Sequence, residues 1–230
     1  MTDIRSRVLI GIGLVAAFLY ANFLIDWVLR DFRGLGEVVS ELQAPGEPNA
    51  ELLRVTDVVC AVLVVALLPP VRSALPSGWW REVAVWATVV FALGAIAAAV
   101  VSAPCGPSVT CSSPSDQLQL QIHDGASLLS NVALFTGVAA VWFATRTTGP
   151  RWLKRFAWWT FWIVGVVASL VFGYFDSATE PSSAVGVSQR IHIVGISAWI
   201  VCLGVVAERG RQQALTSWVP LPRFHHDERG

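Results

Sequence analysis

The sequence predicts an all-α, polytopic membrane fold: a bundle of six transmembrane helices with both termini cytoplasmic. Three observations carry that expectation. Hydrophobic residues make up 54% of the 230 and charged residues only 14%, well below the roughly 25% of a soluble domain. The missing charge falls in six long apolar runs. Lys and Arg, finally, are divided unequally between alternate loops. A formal net charge of zero argues against a basic nucleic-acid-binding domain, and the apolar content argues against a disordered chain or a small disulfide scaffold.

About 20 apolar residues rising 1.5 Å each cross the roughly 30 Å hydrocarbon core. Six segments meet this length: about 8–29, 52–71, 83–102, 120–145, 156–175 and 191–207. The first follows Arg5 and Arg7, but its run is too long for a signal peptide and no small-x-small cleavage site follows. It is therefore expected to stay as a helix. Pro69-Pro70 is expected to close the second span. The third holds a run of small residues, Gly94-Ala95-Ile96-Ala97-Ala98-Ala99, suited to close helix contact. The polar, basic segment 210–230, with Pro220, Pro222 and His225-His226, reads as a disordered tail.

Orientation follows from the basic residues. Arg5, Arg7, Arg72, Arg81, Arg146, Arg151, Lys154, Arg155, Arg209, Arg211, Arg223 and Arg229 fall on one side. Only Arg30, Arg33, Arg54 and Arg190 fall on the other. The basic-rich side is expected to be cytoplasmic, in the plasma membrane of a bacterium. A cluster of Trp79, Trp80, Trp152, Trp158, Trp159 and Trp218 near that boundary suits an aromatic belt. The inner side also holds Asp3, Glu82, Glu208, Asp227 and Glu228, and the other eleven acidic residues fall outside. The zero net charge is thus a separation across the bilayer.

Cys105 and Cys111 lie in the outer loop APCGPSVTCSSPSD, where a disulfide would persist; a metal or redox pair is the rival reading. Cys60 and Cys202 fall within helices and suit packing.

Ionisable groups in hydrocarbon are costly and invite a functional reading. Asn22 and Asp26 share a face near the outer end of the first helix, and Asp57 follows Arg54 by one turn. In the fourth span His123, Ser127, Ser130 and Asn131 form a polar stripe at helical spacing. The fifth ends with Ser169, Gly173 and Asp176, and the sixth opens Gln189-Arg190-Ile191-His192. All sit in the outer half. Helix caps and ion pairs such as Arg54–Asp57 or Arg190–Asp176 would account for some of them. The stripe favours a pocket opening outward, with Glu41, Asn49, Arg54, Ser127, Asn131 and Arg190 as binding residues. The loop Val38-Val39-Ser40-Glu41-Leu42-Gln43-Ala44-Pro45-Gly46-Glu47-Pro48-Asn49 is apolar enough to dip back over it, with a turn at Pro45-Gly46.

Ser40-Glu41-Leu42-x-Ala44-Pro45-Gly46-x-Pro48, followed by Arg54-x-x-Asp57, resembles the first-loop and second-helix signature of the six-helix bacterial and archaeal membrane family catalogued as domain of unknown function 998. The outer cysteine pair, His123-x-x-x-Ser127 and Gly186-x-x-Gln189-Arg190 are similar to it too. The resemblance runs from the first helix to about Arg209 and implies architecture, not activity. More remotely, the pattern is similar to eukaryotic membrane families linked to lipid-anchor remodelling and autophagy, an analogy of fold alone.

Two classes of function stand on these residues. One is an envelope protein whose outer pocket binds a lipid headgroup, a small molecule or a partner membrane protein. The other is a metal-dependent intramembrane hydrolase or transferase acting on a lipid amide or ester. In that reading His123 and His192, with one of Asp57, Asp124 or Asp176, would hold zinc and a water, and Glu41 or another carboxylate would be the base. This resembles the seven-helix alkaline-ceramidase type, but the chain has six spans and no His-x-x-x-His in its last helix. A small transporter subunit ranks third, since no pair of broken helices in matching halves is evident. The expected surroundings are the lipid bilayer, with no nucleic-acid partner. The sequence leaves the oligomeric state open.

Overall fold

The computed structural model describes residues 7–107, 109, 111–177 and 183–217. Helices account for nearly all of them: α1 (Val8–Tyr20), α2 (Phe23–Leu29), a 3-10 turn at Glu41–Gln43, α3 (Ala50–Ala66), α4 (Leu68–Ala74), α5 (Trp79–Val100), α6 (Pro114–Thr145), α7 (Arg151–Trp159), a π-helical segment Thr160–Ala168, α8 (Ser169–Asp176) and α9 (Ser183–Ser217). Five stretches are continuous, long and apolar enough to cross a membrane: Ala50–Ala74, Trp79–Val100, Pro114–Thr145, Arg151–Asp176 and Ser183–Thr216. The α1–α2 pair makes a sixth if it is taken as one span, bent by 58°. The protein is a multi-pass, all-α membrane protein.

The bend departs from the single run expected over 8–29, and it falls at Asn22. Its buried side-chain amide turns onto α3, donating to the Leu53 carbonyl at 3.0 Å and the Thr56 hydroxyl at 3.1 Å. In an apolar setting that polar pull outweighs helix continuity. The chain leaves α2 through left-handed conformations at Asp31 (φ 53°) and Phe32 (φ 62°). The Phe32 N–H returns to the Trp27 carbonyl, closing the helix end.

Pro69-Pro70 does not end its span. Both prolines lie in the first turn of α4, where a missing N–H costs nothing, and the helical path runs on to Ala74. The last helix is also longer than expected. It continues to Ser217, so 210–217 are helical, while 218–230, with His225-His226, lie outside the described residues. Buried Glu208 explains part of this: it pairs with Arg211 at 2.5 Å and accepts the Leu9 N–H at the start of α1 at 3.3 Å. Arg209 stacks over Trp152 at 4.7 Å.

Two packing seams organise the bundle. α1 crosses α9 at Gly13 and Gly204, where a methyl on Gly13 would come within 2.9 Å of the Gly204 Cα. Only glycine permits that approach. α5 and α6 pack antiparallel along their length, the Gly94–Ala99 run serving the contact, with the Ser130 hydroxyl donating to the Phe91 carbonyl at 2.9 Å. Between the seams lies a core of Phe91, Leu134, Val138, Ile196, Trp199 and Ile200. α6 starts where Ser113 accepts the Asp116 N–H at 3.1 Å, just before Pro114. Cys105 and Cys111 form a disulfide, and Cys60 and Cys202 are buried free thiols.

The helix from α7 to α8 is the least embedded. Leu153 and Ala157 of α7 are buried, but α8 buries no residue. α6 packs on α7 and on the π-helical segment and then parts from α8. Those two helices diverge toward the end of the bundle that carries the first loop and the disulfide.

Candidate functional site

Arg190 fixes the first loop. Its side chain is buried, and its Nη1 donates to the carbonyls of Leu35 (2.8 Å), Glu37 (2.6 Å) and Gly186 (3.0 Å), while Nη2 donates to Gly34 (2.9 Å). The guanidinium also lies 5.5 Å from the Phe23 ring centroid. Gly186 lets the Gly36–Glu37 backbone lie directly on α9, since a methyl there would collide with it. One turn away, Gln189 accepts the Val39 N–H. Arg30 pairs with Glu37 and, at 3.6 Å, with Asp26, which also accepts from Asn49 at 2.8 Å. The segment from Gly34 to Asn49 is therefore a seated cover.

Beneath it a second group gathers around Asp57. Asn22 donates to one carboxylate oxygen at 2.8 Å and Gln43 to the other at 2.6 Å. The expected ion pairs with Asp57 and Asp176 do not form. Arg54 turns to Glu51 (3.2 Å) and to Ser102 (3.5 Å), and Arg190 is taken up by carbonyls. Backbone oxygens and amides, abundant where a loop meets helix ends, satisfy these groups at shorter reach.

On α6, His123 is buried and its Nδ1 lies 2.9 Å from both the Ala98 and Val101 carbonyls. With two acceptors on that nitrogen, Nδ1 carries the proton. Nε2 is then an acceptor, and it has no partner among the described residues. Asn131 donates to the Ser127 carbonyl at 2.9 Å, leaving its own Oδ1 unpaired among the described residues. His192 of α9 lies 3.2 Å from the Ser169 hydroxyl through Nε2 and stacks on Phe135 at 5.7 Å.

These groups surround one cavity of about 1130 Å³. At the loop end its lining includes Glu41, Gln43, Asp57, Asp124, Asp176 and Gln189; toward the opposite end it includes Trp80, Phe135, Phe161 and Ile196. Asp124, Leu128, Val132 and Thr136, all lining residues, are also surface-exposed. The cavity therefore opens along α6, where that helix parts from α8. Burial and the facing Asp176, Glu37 and Glu47 carboxylates push Glu41 above the usual carboxylate range.

Of the residues singled out in the sequence, Glu41, Asp57, His123, Asp124, Ser127, Asn131, Asp176 and His192 line this cavity. Asn49, Arg54 and Arg190 do not; they hold the cover and the helix ends. Sequence reasoning missed Gln43 as a partner of Asp57, and Ser169 as a partner of His192 on a different helix. Among the described residues no three His, Cys, Asp or Glu side chains come together as a metal site. His123, His192 and a carboxylate, the ligand set expected for zinc, are therefore not gathered into one group. The arrangement offers hydrogen-bond acceptors and negative charge above an aromatic, apolar chamber.

Compared with curated proteins and with solved structures, the chain finds no match in either. A family model described as "Protein of unknown function (DUF998)" matches residues 11–206, nearly the whole helical bundle. That span includes the cover loop, Asp57, the α6 stripe and His192, so the cavity belongs to the matched region. The chain is a member of the DUF998 family of membrane proteins.

Proposed function

We propose that this protein binds an amphipathic small molecule or lipid headgroup in a pocket facing outward from the plasma membrane of a bacterium. The observation that carries the reading is the cavity of about 1130 Å³, polar at its loop end and apolar below. Ligand sites characteristically pair an apolar enclosure with a few convergent polar groups, and they commonly lie between helices of bundles. A metal-assisted hydrolase would need ligands that converge, and among the described residues no three His, Cys, Asp or Glu side chains do.

Tryptophan placed in the chamber tests it. Wild-type protein extracted in a mild detergent should carry a co-purifying amphipathic molecule, detected by native mass spectrometry. Gly173→Trp and Ala139→Trp, both of which line the cavity, should lose it while remaining folded. An unchanged bound mass in both variants would overturn the reading. A bound polypeptide instead of a small molecule would favour the partner-protein alternative.

The outward direction rests on the basic residues, which crowd the end of the bundle opposite the cover. Alkaline phosphatase fused after Gly230 is expected to be inactive and a green fluorescent reporter there to shine. An active phosphatase would invert the topology.

A further inference from the structure

We infer that the occupant of this cavity is a cationic amphiphile: an amine or quaternary ammonium head without a phosphate, carrying one apolar chain. The inference rests on the binding reading above and narrows it to a chemical class. Among the described residues four carboxylate side chains, Glu41, Asp57, Asp124 and Asp176, line the cavity, and no Lys or Arg does. The nearest cationic groups are already engaged: Arg30 by Glu37 and Asp26, Arg54 by Glu51, Arg190 by four carbonyls. A phosphate or carboxylate head would meet only like charge. A cation would be drawn in by several carboxylates at once.

Buried acceptors point the same way. His123 is 3% exposed, lines the cavity, and its Nε2 has no partner among the described residues. Its Nδ1 proton is committed to the Ala98 and Val101 carbonyls, so Nε2 keeps its lone pair, which takes the N–H of an amine head and offers negative potential to a quaternary one. Asn131 Oδ1 adds a second unpaired acceptor on the same helix face.

Shape supplies the tail. The opening follows α6 from Asp124 to Thr136, about 18 Å of helix at 1.5 Å per residue. It is acidic at the loop end, where Asp124 faces Asp176, and apolar along Leu128, Val132, Phe172 and Phe161. A molecule already in the bilayer could slide in sideways, head toward the loops and chain along the slot. A head without a chain would leave the aromatic chamber unfilled.

The test is equilibrium binding to the full chain in phosphatidylcholine nanodiscs, with empty nanodiscs subtracted. The probe is radiolabelled dodecyltrimethylammonium. Saturable binding, displaced by dodecylamine but not by dodecyl phosphate or dodecanol, is the expected result. Tetramethylammonium should compete at least about tenfold more weakly, because it forgoes the apolar burial that makes up most of a dodecyl chain's contact. Asp124→Asn with Asp176→Asn, both exposed positions, should weaken the probe about tenfold through the loss of charge attraction near the surface. Equal displacement by dodecyl phosphate overturns the cationic class and leaves the cavity as a binding site. Equal potency of tetramethylammonium overturns the amphiphile in favour of a soluble cation. If no dodecyl compound binds saturably, the binding reading itself falls.

Discussion

Arg190→Ala should be among the most damaging single substitutions in this protein, costing about 3–5 kcal/mol, since the loop carbonyls lose a charged donor at about 1–3 kcal/mol for each group left unsatisfied. For a chain of this size that corresponds to a fall in Tm of roughly 6–20 °C. The guanidinium joins Gly34, Leu35, Glu37 and Gly186, residues separated by about 150 positions in sequence. Without it those carbonyls lose a charged donor and the cover keeps only the Gln189–Val39 bond and the Gly186 contact as ties to α9. Arg190→Lys should recover only part of the loss, because an ammonium cannot spread planar donors over four carbonyls. Thermal unfolding in detergent measures the first effect, and protease cleavage within 34–49 measures the second. A variant with wild-type Tm and an uncut loop would show that the cover is held by something else.

Asn22→Leu comes next. Its amide satisfies Asp57, Thr56 and the Leu53 carbonyl at the bend between α1 and α2. Replacing it with an apolar side chain leaves a carboxylate oxygen short of its donor, at about 1–3 kcal/mol. Removing both members of the pair, as Asn22→Leu with Asp57→Leu, should cost less than the sum of the singles. The coupling should be about 0.5–3 kcal/mol, as for directly bonded neighbours. A double-variant unfolding cycle reads this directly, and strict additivity would mean that the two side chains act independently.

The membrane fold was legible in the sequence because spanning helices announce themselves by length and apolarity. The α6 stripe was legible too, since His123, Ser127 and Asn131 share one helix and helical spacing alone puts them on one face. Partnerships between elements were not. Arg54 and Asp57 sit one turn apart and so invited an ion pair, yet Gln43 and Asn22, remote in sequence, reach Asp57 instead. Arg190 was expected to seek a carboxylate, but the loop backbone presents the Gly34, Leu35 and Glu37 carbonyls where its fork can reach them. The bend at Asn22 carries no proline signal; it arises from where a polar side chain finds acceptors on another helix. Pro69-Pro70 shows the converse, a strong local signal made harmless by falling in a helix's first turn.

The π-helical segment has a consequence for phase. An i→i+5 turn takes up more residues than an α turn, so each residue within Thr160–Ala168 rotates the chain by less than the usual 100°. The face that buries Leu153 and Ala157 in α7 is therefore out of step with α8. This offset is what brings Ser169 to His192 and turns Phe172 and Asp176 toward the chamber. A chain one residue shorter in that segment would swing all three by about 100°, toward lipid. The third wall of the cavity thus depends on a count of residues as much as on their identity.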